Sequence, residues 1–494
     1  MRAKRIGAVY WGDNMLFSNT ATRSELCRRP ALRSALVLAA VLACVAALAQ
    51  AQTVSTVYNF AGGTKGAANP NYVTLVQGTS GALYGTTYNG GAKSEGTFFS
   101  VTTSGTFTLL YSFGTASKDG AWPTGGLTLG TDGNFYGTTN LGGSSSQGTV
   151  FKMTTAGVET ILHNFNSATD GGFPWGPPIE GSDGNFYGTA SASAKDQGLV
   201  YKITSSGTYT TIYAFDGTHG SVPIAPPVQG VDGYLYVVTS VGGAENCGTV
   251  VQMTTAGVVN NYYSFPCQSG GGGSDPIGPL VQASNDNFYS TTQAGGSNGE
   301  GTIYQITTGL VATTLHNFGV TFGDGTQPSS GLLLATDGNY YGSTNAGGAN
   351  DDGILFNTST GGTYTDLYSF NNTANLTQES PLAPPVQATN GTLYGVTEFG
   401  GATNQGTVYS LNMGLPAFVN TAVFSGKEGQ KVTLLGNNLK GTTSVTFNGV
   451  PATFTVNSNS HLTATVPSGA TTGAIHVTTS KADLVGRKDF VILK

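Results

Sequence analysis

Leu129-Gly-Thr-Asp-Gly-Asn-Phe-Tyr-Gly-Thr-Thr139, followed by Gly142-Gly143 and Gly148-Thr-Val-Phe-Lys152, is the stretch on which the fold turns. Asp-Gly-Asn supplies residues that tolerate positive φ, so it reads as a tight hairpin turn between two short strands. The stretch also recurs. Its Tyr-Gly-Thr element returns, with variations, at Tyr84, Tyr136, Tyr187, Tyr236, Tyr289, Tyr341 and Tyr394, at intervals of 52, 51, 49, 53, 52 and 53 residues. Its Gly-Thr-Val-Phe element starts at Gly96, Gly148, Gly198, Gly248, Gly301, Gly353 and Gly406. A third element, aromatic-x-Phe, ends at Phe60, Phe113, Phe165, Phe215, Phe265, Phe318 and Phe370.

One unit reads as four antiparallel strands: a over 72–78, b over 82–88, c over 96–102 and d over 106–113. Hairpin chemistry joins c to d at Ser104-Gly105, Ala156-Gly157, Ser206-Gly207 and Ala256-Gly257. Four strands per unit of about fifty residues, repeated radially, make a β-propeller blade. The chain enters on a lone strand d, 54–60, and leaves its last copy after strand c, 406–411. A linear solenoid has no reason to begin and end at complementary points of one repeat. The expected fold is therefore all-β: a seven-bladed propeller over 52–412, closed by its N-terminal strand.

Copies such as the opening stretch resemble the GloVer tandem repeat of exported bacterial proteins with a choice of C-terminal anchors. The resemblance spans about residues 54–411. It implies a secreted or surface protein and no activity, because it brings no catalytic residues with it.

After Met413-Gly414-Leu415-Pro416 the period stops. Val432-Thr-Leu-Leu-Gly436, Val445-Thr-Phe-Asn-Gly449, Leu462-Thr-Ala-Thr-Val-Pro467 and Gly473-Ala-Ile-His-Val-Thr478 read as short strands of an immunoglobulin-like sandwich over 416–494. Their spacing resembles the IPT/TIG domain, which implies a spacer or adhesive unit where relatives carry a sorting anchor. No hydrophobic tail follows it.

The first 51 residues read as a signal peptide with an extended basic leader. Arg28, Arg29 and Arg33 precede an apolar run over 35–49, too short for a comfortable membrane span. Cleavage is expected near Ala49 to Ala51, with lipoprotein processing at Cys44 the minority alternative. Residues 1–51 hold seven of the 20 Lys and Arg and two of the 26 Asp and Glu, so the remainder has 13 basic against 24 acidic residues, a net of about −11. That charge lacks the basic footprint nucleic-acid binding requires. The expected partners are an extracellular glycan or a surface protein. The mature chain is read as a monomer without a membrane span.

In a meander the a–b and c–d turns share one face and the b–c and d–a loops the other. The turns are tight, so their face is expected to be bare, and a ligand site belongs on the loop face. Asp119, Asp170 and Asp324 recur there in Asp-Gly-x-x-Pro. A ring of such carboxylates could hold Ca²⁺, although capping of loop amides is the plainer reading. Trp122 and Trp175 read as matched points of adjacent d–a loops, three residues after Asp119 and five after Asp170, with Phe173 beside them. Exposed, they would stack on sugars; buried, they would wedge between blades. His163 and His316 occupy the repeat's Tyr position, His461 and His476 belong to the C-terminal module, and His219 with Asp216 reads as a solvated loop pair. No nucleophile elbow, zinc spacing or phosphate loop is present. The leading reading is a non-enzymatic binding or scaffold protein; the alternative is a polysaccharide-binding or polysaccharide-degrading one. Cys247 and Cys267 lie about ten residues either side of a c–d turn, so a disulfide is expected, as suits an oxidising compartment.

Overall fold

The computed structural model describes residues 54–193, 197–267, 272–371 and 378–493. The targeting segment, its cleavage sites, Cys27 and Cys44 lie outside the described residues.

Seven antiparallel sheets follow one another from residue 54 to residue 411. Sheet 1 comprises strands Val76–Gln77 (a), Leu83–Thr87 (b), Thr97–Val101 (c) and Phe107–Ser112 (d). Sheets 3 to 6 repeat this order, and sheet 2 adds a fifth strand, Gly120–Pro123, also paired with its strand b. Sheet 7 comprises Val386–Gln387, Leu393–Thr397 and Thr407–Leu411, and its fourth strand is Val54–Asn59, paired antiparallel with Thr407–Leu411. The first strand of the chain thus completes the last sheet, as the order of the repeat elements requires.

Strand a is shorter than the sequence suggested, two residues instead of seven in sheet 1. The preceding residues carry the chain through left-handed conformations (Asn69 φ 50°, Tyr72 φ 53°), which a ladder cannot accommodate. This segment pairs instead with the end of strand b, as in Ala67–Ala68 with Asn89–Gly90.

The repeat elements have physical causes. Adjacent apolar residues in strand c serve opposite faces: Phe151 packs into a cluster with sheet 1, and Val150 into one with sheet 3. Seven core clusters each draw on two sheets, including one built from Phe60, Leu75 and Phe99 with Ala388, Tyr394 and Val396 of sheet 7. The threonines of strands b and c bond across the sheet, as in Thr139–Thr149 and Thr239–Thr249, each at 2.8 Å. The tyrosine of strand b donates to the Asp of the a–b turn, as Tyr136 does to Asp132 at 2.8 Å, and that Asp accepts the amide of Asn134. The glycine opening strand c has φ between 81° and 100° in all seven copies, and a Cβ there would meet a proline ring of the following d–a loop. For Gly406 that ring is Pro70, so the sequence's last repeat packs on its first loop.

Strand a supplies a further link between sheets. The Glu180 carboxylate accepts from Thr131 N–H (2.7 Å), Gln229 Oε1 from Ser182 N–H (2.8 Å), and Gln282 Oε1 from Val231 N–H (3.0 Å). Gln387 Oε1 accepts from Thr336 N–H (3.0 Å), and Gln77 Oε1 from Thr389 N–H (2.9 Å). The last of these joins sheet 7 to sheet 1. The position is Leu129 in sheet 2 and Leu334 in sheet 6, where no such bond can form.

Residues 420–485 form two more four-stranded sheets, ordered Asn420–Thr421, Lys431–Leu435, His461–Thr465, Phe454–Val456 and Val450–Pro451, Thr442–Phe447, Ile475–Thr479, Asp483–Val485. They share a core that includes Val432, Leu462, Phe447 and Val477. Ser425–Lys427 pairs parallel with Val491–Leu493. The 3₁₀ turn Leu439–Gly441 is the sole helical element among the described residues.

The face expected to be bare is covered. Phe418 N–H donates to the Thr389 carbonyl (3.1 Å), Asn437 Nδ2 to Thr389 Oγ1 (2.9 Å) and Ser460 Oγ to the Thr79 carbonyl (2.8 Å), all at a–b turns. Leu435 joins the core cluster of sheets 1 and 2. Short turns leave a flat surface, and a flat surface with apolar edges is one a second module can seat on.

Candidate functional site

The loop face is organised by one position of the d–a loop. Asn69, Trp122, Phe173, Val222, Asp275, Gln327 and Ser380 all have φ between 50° and 55°, and each immediately precedes a proline. Left-handed geometry is rare for aromatic and β-branched residues, so its recurrence means the surroundings impose it. The constraint is visible. Each residue's N–H donates to a carbonyl just ahead of strand c, as Trp122 does to Glu95 (2.8 Å) and Asn69 to Gln405 (2.8 Å), while the proline covers the strand c glycine.

This register corrects the pairing of the tryptophans. Trp122 corresponds to Phe173, both directly before proline; Trp175 follows Pro174 and corresponds to Thr124. Trp122 stacks on Tyr88 at 6.2 Å, whereas Trp175 meets Tyr72 edge-on at 6.3 Å. Tyr72 belongs to the loop entering sheet 1 and Trp175 to the loop entering sheet 3. Burial, then the carboxylates of Glu398 and Asp275, push the Tyr72 phenol above its ordinary range. Glu398 follows strand b of sheet 7 and Asp275 precedes strand a of sheet 5. Loops of sheets 1, 3, 5 and 7 therefore contribute to one cluster.

Tyr72, Trp175, Asp275 and Glu398 are all half-buried. Glu398 Oε1 accepts from Asn71 Nδ2 at 2.7 Å. Burial raises both Asp275 and Glu398 above the usual carboxylate range. Aromatic faces beside hydrogen-bonding carboxylates and an amide suit a ligand with apolar ring faces and many hydroxyls.

Asp119, Asp170 and Asp324 do not join this cluster. Each carboxylate serves its own loop and the ring at the Tyr position of its own sheet. Asp119 accepts from Thr115 N–H (2.9 Å) and the Tyr111 hydroxyl (3.0 Å). Asp170 accepts from Asn166 N–H (2.8 Å) and lies 3.2 Å from His163. Asp324 accepts from Val320 N–H (3.4 Å) and lies 3.4 Å from His316. His163 stacks on Tyr209 and His316 on Tyr364, each at 3.8 Å, bridging neighbouring sheets. Burial holds the His163 ring below its ordinary pKa, partly offset by Asp170. His219 sits 3.4 Å from Asp216 and edge-on to Tyr262. Among the described residues no three His, Cys, Asp or Glu side chains converge as a metal site. Cys247 and Cys267 form a disulfide with a Cα–Cα distance of 5.4 Å, tying the start of strand c to the end of strand d in sheet 4.

Tyr72, Asp275 and Glu398 escaped the sequence reading. The signal available was the residue-before-proline register, which marks Asp275 directly and brings Tyr72 to notice as a bulky residue where the other copies have Gly, Ala or Ser.

The Gloeobacter/Verrucomicrobia repeat model matches residues 45–230, 174–382 and 225–452. The chain belongs to this family. An IPT/TIG domain matches residues 418–489. No curated protein matches the chain. Among solved structures, the BP39L lectin of Burkholderia pseudomallei aligns with TM-score 0.50 and 11% identity over 70% of this chain and 97% of the lectin. Two extracellular domains of hybrid two-component systems from B. thetaiotaomicron align with TM-scores 0.47 and 0.45, at 11% and 9% identity, over 84% and 86% of this chain. This chain spans 52% and 57% of those chains. The likeness to the lectin speaks to fold alone. No helix among the described residues is long and apolar enough to cross a membrane.

Proposed function

We propose that the chain is a secreted or surface-exposed binding protein without catalytic activity, and that it binds an extracellular glycan at the Tyr72–Trp175 cluster. In this reading residues 52–412 form a closed seven-bladed propeller, 416–494 form a separate IPT/TIG module, and residues 1–51 are removed on export. Closure is supported by the pairing of Val54–Asn59 with Thr407–Leu411 and by the bond from Thr389 to Gln77. Export is supported by the disulfide, which belongs to an oxidising compartment. The observation that carries the binding role is the cluster itself: Tyr72 against Trp175, with Asp275 and Glu398 within electrostatic reach of the phenol.

The second reading, polysaccharide hydrolysis, is favoured by the two carboxylates, whose raised pKa values suit proton donation. A glycan-binding and hydrolysis screen of the full chain separates the two. Expected is saturable binding without turnover, weakened about tenfold or more by Trp175→Ala or Tyr72→Ala, as loss of a stacking aromatic implies. Chelator tests the Ca²⁺ expectation in the same assay; unchanged binding removes it. Hydrolysis lost in Asp275→Asn or Glu398→Gln would overturn the non-enzymatic reading. Absence of binding to every glycan would overturn the ligand class.

A further inference from the structure

At the opposite end of the sheets the C-terminal module encloses space against the a–b turns. A cavity of about 830 Å³ is walled on one side by Gly181–Ser182, Val231, Ser284 and Thr336, from sheets 3, 4, 5 and 6, and on the other by Arg487 and Lys488. The two cations sit in a connection held at both ends. Gly486 N–H donates to the Ile475 carbonyl (2.8 Å), and Val491 N–H to the Phe424 carbonyl (2.8 Å). The Lys488 ammonium lies 5.3 Å from the Phe424 ring centre.

Neither cation has an ion pair among the described residues, and Arg487 Nε is shut off from solvent without an acceptor. The acids of the same walls do not neutralise them. Glu180 is engaged by the Thr131 amide and hydroxyl, at 2.7 and 2.6 Å, and Asp286 and Asp489 are exposed. Each cation keeps intermediate exposure, and both line the cavity. Desolvation brings Arg487 down to about 10 and Lys488 to about 8, Lys488 being further lowered by Arg487. Two adjacent positive charges partly removed from water without a counter-charge are unfavourable, and truncation or an incoming anion relieves the same penalty.

We propose that this cavity binds a small oxyanion, held by Arg487 and Lys488 between the C-terminal module and the a–b turns. Arg487 offers a fork of donors to paired oxygens and Lys488 a point charge. The ligand is an inorganic sulfate or phosphate, or the carboxylate of an acidic sugar; the chemistry is shared. Because binding stabilises protonated Lys488, affinity falls as pH rises above about 8. The inference is independent of the glycan reading, since the two sites lie at opposite ends of the sheets.

The test is thermal melting and calorimetry of the full chain, first in a buffer free of oxyanions, then with sulfate, phosphate or galacturonate. A saturable rise of about 2 °C or more is expected for at least one of them, smaller at pH 9 than at pH 7. Arg487→Gln and Lys488→Met should weaken binding at least tenfold. In the oxyanion-free buffer these variants should melt at or above the parent, by about 1–3 °C, because an unpaired charge is gone. A purely structural role for either cation predicts a lower melting temperature instead, and that result would overturn the proposal. So would an equal response of parent and variants to every anion, which marks a general salt effect. If Arg487→Gln does not fold, Lys488→Met carries the test alone.

Discussion

The two ends of the sheets solve opposite problems. At the loop end, charge is accounted for locally: Asp119, Asp170 and Asp324 cap their own loops and hold the ring of their own sheet. The proposed binding cluster lies there where Tyr72 meets Trp175, with Glu398 and Asp275 acting on the phenol electrostatically. At the turn end the loops are too short to build anything, and a separate module covers them, bringing two cations to which nothing responds. The two proposed sites are accordingly of different kinds. One grows where copies diverge within the repeat; the other arises where a foreign element is laid on copies that remain alike.

The largest effect should come from removing Val54–Asn59. This strand is the pairing partner of Thr407–Leu411. Its loss also exposes the core shared by Phe60 and sheet 7. Deletion of 54–60 should abolish cooperative unfolding, measured by calorimetry, and leave an open edge prone to association. A deletion variant that melts cooperatively near the parent temperature would show that the sheets stand as a linear stack, and the proposed closure would fall.

How much of this was legible in the sequence follows from which interactions are local. The strand c glycine opens all seven copies, Asp-Gly-Asn forms three of the a–b hairpins and the threonine pair recurs in five sheets; each acts within one repeat, so recurrence made them legible. The shift of sheet 7 onto the first strand was readable because it is a statement about order. The Tyr72–Trp175 cluster was not, because its members stand at different repeat positions on loops far apart in the chain. Residues such as Asp119 looked functional by recurring, yet recurrence here reports a shared loop cap. The cations at Arg487 and Lys488 carry no motif; their meaning comes from what the a–b turns fail to offer them.

The disulfide is the next test of the loop end. Cys247 and Cys267 lie 20 residues apart and close a single hairpin. Replacing both by Ala should lower stability by about 2–3 kcal/mol, read from denaturant midpoints, with the effect confined to sheet 4 in hydrogen exchange. Oxyanion stabilisation at the turn end should be unchanged. If it also declines, the two ends are coupled through the sheets and the contrast between them is too sharp. Free thiols at both positions in mass spectrometry of the exported protein would remove the disulfide altogether.

The smallest effect concerns a place where local accounting at the loop end is incomplete. The Tyr111 hydroxyl donates within 3.0 Å of both Asp119 and Glu159, which belong to neighbouring sheets, and one oxygen of each carboxylate is buried without a partner. Burial first, then Asp119, raises Glu159 to about 8, with Tyr111 opposing. A protonated Glu159 can donate to Asp119, which also accepts from the Tyr111 hydroxyl. The folded pKa lies above the unfolded value near 4.5, so this group's stabilisation is full below that value and is lost as pH rises through about 8. Because Glu159 is only half-buried, the loss should amount to about 1–2 kcal/mol, not the full value the shift implies. Glu159→Gln keeps a donor toward Asp119 and cannot ionise. It should flatten the decline in stability between about pH 5 and 9 and melt above the parent at pH 9 by about 1–3 °C. Parallel pH profiles for the two proteins would show that Glu159 ionises freely, and the loop end would then be as fully compensated as its three aspartates suggest.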